Sequence, residues 1–394
     1  MSRELEGELL PSLITGGAGD DPAGVMTYTV VGATTGFGQL WLLVLSTPIL
    51  AAATAMAGRV ALAAQDGLAD VLKRRAGGGV ALLVVGLLAL ANGFTIAADS
   101  AAVAAVLGWL TGRPWTLFVL PLLLLLAALV LAGYGPLKRA LLVLTSVLLA
   151  YLAAAVLAHP DPAALLAGLW PRLGSGAWTA AALGLLGTTI SPYLLFWQAG
   201  EEVEELRRSV TIRPQRADLG AFWGMAYSNL IAAAIVVASA VAFHGRPPQT
   251  VVEAARALAP LGDWGPRLFA IGLLASGLLA LPTLAGATAY AVAELFGWPE
   301  GLGVRPAAAR GFYLVFVLGL FGNGAIALLP GFHPAQALFL SQVLDGALLP
   351  LMLAVLLWLS NDRRVVKTPN PVWVNLFGVL GGLLALAAAV RALS

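Results

Sequence analysis

Two adjacent carboxylates, Asp20 and Asp21, stand inside an apolar stretch that runs roughly from Leu10 to Gly32. Around them the chain reads Gly16-Gly17-Ala18-Gly19-Asp20-Asp21-Pro22-Ala23-Gly24. Pro22 deletes a backbone donor and the glycines loosen the turn, so the spacing predicts a helix that breaks here. A break at membrane depth frees carbonyls and helix ends, which is tolerated only where they are buried in protein or line a cavity. An acid at such a point is costly and reads as a functional site; the plainer alternative is a kink whose acids reach the interface or pair with an arginine. A second interruption, Gly187-Thr188-Thr189-Ile190-Ser191-Pro192-Tyr193, lies in the apolar segment from Trp178 to Gln198.

The groups available at the two breaks are the carboxylates of Asp20 and Asp21, the hydroxyls of Thr188, Thr189, Ser191 and Tyr193, and freed carbonyls. These are hard oxygen ligands, suited to Mg²⁺, Ca²⁺ or Mn²⁺ rather than to soft ions. Small residues such as Gly24 and Ser191 leave room for an ion that keeps some of its water. Met26 is the one sulfur nearby and reads as packing. A carboxylate at a half-helix break equally suits Na⁺ or the ammonium of an amino acid.

Positioning such groups takes a membrane bundle. Of the 394 residues 60% are hydrophobic and 11% charged, which predicts an all-α polytopic membrane protein. Eleven apolar spans fall at approximately 10–32, 40–63, 78–107, 115–133, 137–158, 177–199, 217–243, 265–297, 308–329, 335–358 and 371–391. The third and eighth are long enough to tilt or to project from the bilayer. Interruptions in the first and sixth spans predict a five-plus-five inverted repeat. The expected organisation is one transmembrane domain over 1–394, with repeats at about 10–158 and 177–358 and an extra helix at 371–391.

Loop charge sets the orientation. With the N-terminus in the cytoplasm, sixteen of the 22 Lys and Arg residues fall in inner connections and six outside, which puts the C-terminus outside a cell membrane. The short acidic N-terminus lacks the basic region of a cleaved signal peptide. No cysteine is present, so disulfides and thiolate metal sites are excluded. His159, His244 and His333 all fall in connections, leaving no imidazole at mid-membrane. No nucleophile–base pair stands out, so no enzyme activity and no cofactor are expected. The expected partners are a substrate ion and the lipid bilayer, with no nucleic acid and no obligatory protein partner.

The remaining intramembrane polar residues are few. Asn92, Thr95 and Asp99 recur at i, i+3 and i+7 on one face of the third span, as either a permeation stripe or an interhelical hydrogen-bond seam. Asp345 lies deep in the tenth span, and Glu294 lies near the end of the eighth, where it could reach the interface. Gln198, at the end of the sixth span, is included with Asn92, Asp99, Tyr193 and Asp345 in a candidate ion pathway. Glu201, Glu202, Glu204 and Glu205 follow directly and read as a solvated face, with Glu204 and Arg208 as an i,i+4 pair, or as a negative vestibule. Tyr227, Ser228 and Asn229 add polarity to the seventh span without a distinctive spacing.

The run Asp21-Pro22-Ala23-Gly24, then Thr27 and Gly36-Phe37-Gly38-Gln39-Leu40-Trp41, resembles the Nramp family of divalent-metal transporters. So do Leu186-Gly187-Thr188-Thr189-Ile190-Ser191-Pro192-Tyr193 and Ser341-Gln342-Val343. The resemblance implies a LeuT-like fold, a metal site between broken spans one and six, and alternating access. It implies that Asp21 is the metal-binding aspartate and that the Thr188 carbonyl coordinates. Gly24 stands where the family has asparagine, and Ser191-Pro192-Tyr193 where it has Met-Pro-His. Leu348 takes the place of a site glutamine; Asp99 keeps the third-span acid, but Ala102 replaces its partner glutamate. These departures resemble a divergent branch that includes magnesium transporters. The expectation is a secondary transporter or facilitator of Mg²⁺ or Mn²⁺, weakly or not proton-coupled. The alternatives are a transporter of an organic solute or amino acid and a non-transporting membrane sensor.

Overall fold

A computed structural model of the chain describes residues 20–133, 146–174, 176–207 and 214–393. The glycines before Asp20, the half-helix expected there, and Lys138, Arg139, Arg208 and Arg213 lie outside the described residues, as does the first part of the fifth span.

Fourteen α-helices account for most of the described chain. Numbered in order, the first four are α1 (Pro22–Thr35), α2 (Leu40–Ala64), α3 (Leu68–Ala76) and α4 (Gly78–Thr111). Next come α5 (Thr116–Gly133), α6 (Ala150–Leu157), α7 (Pro162–Gly168), α8 (Ala177–Thr189) and α9 (Pro192–Arg207). The last five are α10 (Pro214–Phe243), α11 (Trp264–Phe296), α12 (Arg310–Ile326), α13 (Pro334–Asn361) and α14 (Val372–Leu393). Among the described residues seven spans are long and apolar enough to cross a membrane, α8 and α9 counting together as one, and Thr116–Leu131, Ser146–Leu157 and Arg310–Ile326 are shorter apolar stretches. The long third and eighth spans are α4, of 34 residues, and α11, of 33. Each is about 50 Å of helix at 1.5 Å per residue, against a hydrocarbon layer of about 30 Å.

The breaks fall where proline requires them. α1 starts with Pro22 at its first position, and Asp21 caps it by accepting from the Gly24 N–H at 2.5 Å. α8 ends at Thr189, Ile190 departs from helical geometry (φ −119°, ψ 56°), and α9 restarts at Pro192. Around them α1, α4, α8, α10, α11 and α13 pack together, and large apolar side chains of α5 and α14 such as Leu120, Leu124, Leu376 and Leu383 stay exposed. That apolar outer surface is the one a bilayer covers.

Glycine sets the closest helix approach. A β-carbon on Gly187 would lie 2.0 Å from the Gln342 carbonyl oxygen, and one on Gly346 would lie 2.1 Å from the Leu183 carbonyl oxygen. α8 and α13 therefore meet backbone to backbone, as small residues permit between membrane helices.

The described connections after the second, eighth and tenth spans gather on one face. There Arg75 pairs with Asp362 at 2.5 Å, Lys73 Nζ donates to the Leu295 carbonyl at 2.8 Å, and Arg59 Nε donates to Asn370 Oδ1 at 3.1 Å. On the opposite face Gln39 Nε2 donates to the Trp178 carbonyl at 2.7 Å. The same face carries a cleft of about 460 Å³ lined by Trp109, Arg113, Trp115, Gln249 and His333.

α3 was not foreseen, since its charge hides it among loop residues. Leu68, Ala69, Val71 and Leu72 bury one side while the last turn carries Lys73, Arg74 and Arg75. Glu294 holds its start: Oε2 accepts from the Ala69 N–H at 2.8 Å. The carboxylate is 5% exposed, so it does not reach the interface; capping α3 keeps it inside. Glu204 is half-buried, with both oxygens engaged. Its oxygens accept from Tyr290 O–H at 2.6 Å and from the Gly303 N–H at 2.9 Å, tying α9 to α11 and the loop after it.

Candidate ion site at the two helix breaks

The break before α1 faces the break between α8 and α9. Asp21 is 1% exposed, with Oδ1 on the Gly24 N–H and Oδ2 accepting from Tyr193 O–H at 3.3 Å. Tyr193, one residue into α9 past Pro192, thus joins the break in span six to the acid in span one. Ser191 turns back on its own chain, donating to the Thr188 carbonyl at 2.9 Å and the Gly187 carbonyl at 3.2 Å. Its hydroxyl therefore steadies the carbonyl expected to coordinate. The Thr188 hydroxyl and the Thr27 hydroxyl of α1 are both buried without a hydrogen-bond partner among the described residues.

Three further acids close on this point. Asp99 of α4 accepts from the Ala23 N–H at 3.0 Å through Oδ1, and its Oδ2 has no partner among the described residues. Asp20 is wholly buried, its Oδ1 accepting from Ser228 Oγ at 3.0 Å and its Oδ2 without a partner among the described residues. Asp345 of α13 is 1% exposed and neither oxygen has a partner among the described residues. Asp99 reaches the first turn of α1 through Ala23, and Asp345 stands one residue before Gly346, which meets the α8 backbone at Leu183. The ion pairs found lie elsewhere, Arg74 with Asp66 and Asp70, and Arg75 with Asp362. Among the described residues, then, no Lys or Arg neutralises these four acids. Nor do three His, Cys, Asp or Glu side chains converge tightly enough to enclose a metal by themselves.

The other expected site residues separate. Gly24 contributes its N–H to Asp21 and no bulk. Asn92 Nδ2 donates to Thr288 Oγ1 of α11 at 2.9 Å, so this end of the third-span stripe is an interhelical seam. Gln198 is only half-buried and donates to Glu202 Oε1 at 2.8 Å within α9; it does not join Asp21. Ser228 is a residue whose role the sequence hid, because nothing local marks it as the partner of Asp20.

The family profile described as Natural resistance-associated macrophage protein-like matches residues 12–394. The chain belongs to the Nramp family. Among curated Nramp relatives, the divalent metal cation transporter MntH of Verminephrobacter eiseniae is 28% identical over 96% of this chain and 86% of its own. Among solved structures, a histidine-to-alanine variant of the Eremococcus coleocola manganese transporter superposes with a TM-score of 0.77 at 20% identity, covering 98% of this chain and 86% of that one. Mhp1, a nucleobase-cation-symport-1 family transporter, gives 0.58 at 15% identity over 98% and 91%. The Nramp chain thus shares the expected multi-pass LeuT-like fold.

Proposed function

We propose that the protein carries a hard divalent cation, Mn²⁺ or Mg²⁺, across a cell membrane by alternating access, with Asp21 and the Thr188 carbonyl at the binding point. One observation carries this reading: Asp20, Asp99 and Asp345, buried around these helix ends, keep unmet acceptor capacity with no basic partner among the described residues. A buried charge needs compensation, and a cation arriving from water supplies it. Relatives of this chain named as divalent metal cation and manganese transporters point to the same class of cargo.

With Ser191 where a thioether would favour soft ions, and no Cys or His in any span, oxygen ligands dominate. Tyr193, in place of the family's histidine, stays protonated at neutral pH, and Ala102 offers no second acid beside Asp99. The transporter therefore moves metal down its own gradient with weak or no proton coupling. Loop charge orients it with the N-terminus in the cytoplasm, the even-span face inside and the C-terminus outside.

Uptake of Mg²⁺, Mn²⁺, Ca²⁺, Cd²⁺ and a panel of amino acids into proteoliposomes tests the cargo. Saturable Mg²⁺ or Mn²⁺ uptake is expected; a protein that carries Cd²⁺ well and ignores Mg²⁺ refutes the hard-ion reading. The chain has no cysteine, so single Lys73→Cys and Arg207→Cys variants can be labelled cleanly. Labelling from opposite sides of the membrane would sink the topology.

A further inference from the structure

The four acids near the breaks are not equivalent. Asp21 has both oxygens engaged, by Gly24 and Tyr193. Asp99 has one engaged by Ala23, and Asp20 has one engaged by Ser228. Asp345 alone of the four receives no donor at either oxygen from the described residues, although it is 1% exposed. Its placement is rigid. The backbone contact of Gly187 with Gln342 and Gly346 fixes this turn of α13 against the last turn of α8, beside the gap at Ile190 and Ser191. Thr27 of α1 and Val343 of α13 both lie beside Gly184 of α8, so the three helices meet next to this turn.

A divalent ion brings two charges, and Asp21 offsets one. We propose that Asp345 supplies the second negative charge of the ion site, acting through water that the ion retains rather than as a direct ligand. This rests on the ion-transport reading above. Two observations favour the water-mediated form. No three acidic side chains converge into a closed cage among the described residues, which leaves coordination positions for water beside Asp21 and the Thr188 carbonyl. Two bare carboxylate oxygens are acceptors in want of donors, and the water on a cation is a donor strengthened by the metal's charge. Mg²⁺ sheds water most reluctantly, so a site of this kind favours it over ions that dehydrate more readily.

The test uses full-length protein in proteoliposomes, with Mg²⁺ and Mn²⁺ as the probes. Asp345→Asn keeps the shape and removes the charge. It should raise the half-saturating Mg²⁺ concentration about 10–100-fold, the usual cost of losing a group that acts on a metal through its first ligands. The Mg²⁺-induced rise in melting temperature of the detergent-purified protein should shrink in parallel, a readout of binding that needs no transport. Asp345→Glu, one methylene longer, should displace water and move the Mg²⁺:Mn²⁺ uptake ratio toward Mn²⁺. Unchanged half-saturation in Asp345→Asn overturns the proposal, and so does loss of proton movement alone with metal affinity intact. If the Asn variant fails to fold, a Glu variant with the wild-type ion ratio overturns it. The two readings fail separately. No saturable metal uptake by the wild type, or uptake retained in Asp21→Ala, removes the transport reading itself. Wild-type uptake that is lost in Asp21→Ala but unaltered in Asp345→Asn removes only this one.

Discussion

Glu294 and Asp345 are both acids on long membrane helices, 5% and 1% exposed, and they are treated in opposite ways. Glu294 is met by the Ala69 N–H and anchors a short helix. Asp345 is met by nothing among the described residues. The same contrast divides the two regions around them. On the α3 face Glu204 spends both oxygens on Tyr290 and Gly303, and Asp362 takes Arg75. At the breaks Asp20, Asp99 and Asp345 keep acceptor capacity unspent. Burial alone therefore does not separate structural acids from functional ones. Unmet acceptors single out Asp20, Asp99 and Asp345 as places where a ligand can supply the missing donor, whereas Asp21 is marked by its place at the helix end and not by an unmet oxygen.

The strongest way to break this comparison is Asp21→Ala. If the breaks are an ion site, the variant should lose metal binding outright in calorimetry, because removing one partner of a buried charge interaction costs about 3–5 kcal/mol. Unchanged binding would make the break acids structural after all.

Next in size is the helix contact that aligns the region. Gly187→Ala places a methyl 2.0 Å from the Gln342 oxygen, a backbone atom that cannot swing aside. Overpacking of that kind should lower stability by about 1–3 kcal/mol, visible as a lower melting temperature. Gly86→Ala, where no atom lies within 4 Å, is the control and should change nothing.

Ser191→Met sharpens the chemistry. It trades a hydroxyl on the Thr188 carbonyl for a soft thioether, so competition uptake should shift toward Mn²⁺ and Cd²⁺. A variant with wild-type selectivity would place Ser191 outside the site. Coupling is probed with a pH-sensitive dye inside proteoliposomes under a metal gradient. Little acidification is expected; stoichiometric acidification that vanishes in Asp99→Asn would reveal a coupled transporter.

The smallest effect belongs to the saturated region. The Arg364 backbone N–H, then the Arg75 guanidinium, hold the Asp362 carboxyl below the usual aspartate range. Its contribution is thus full above the ordinary aspartate value of about 3.9 and fades only as pH falls through the lowered one. Asp362→Asn should leave ion affinity unchanged and slightly lower the melting temperature at pH 7, with the difference vanishing in strong acid.

Hydropathy made the helices legible, and Pro22 and Pro192 made both breaks legible, because each signal is local in the chain. The stripe Asn92, Thr95 and Asp99 was also readable, since 3.6-residue periodicity places all three on one face. Its division was not: Asn92 turns to Thr288 and Asp99 to Ala23 only once α4 is packed. Ser228 with Asp20, and Glu294 with Ala69, join residues 208 and 225 positions apart. No spacing rule reaches across such distances. Of the glutamates after span six, Glu204 shows the same limit: charge density suggests solvent, whereas its donors lie in α11 and the loop beyond it.

The short helix α3 ties the ends of two long helices together. Its start is held by Glu294, its Lys73 by the Leu295 carbonyl, and its Arg75 by Asp362, so one nine-residue segment grips the ends of both α11 and α13. If α11 and α13 shift relative to one another during a cycle, these grips cannot all persist. Turnover then includes the time needed to release α3, a step that belongs to the protein's own mechanics and not to the ion. Loosening it with Arg75→Ala should change maximal flux by less than about tenfold while half-saturation stays put. With that outcome, the residues that bind an ion would set how little of it suffices, and a helix that never touches the ion would set how fast it moves.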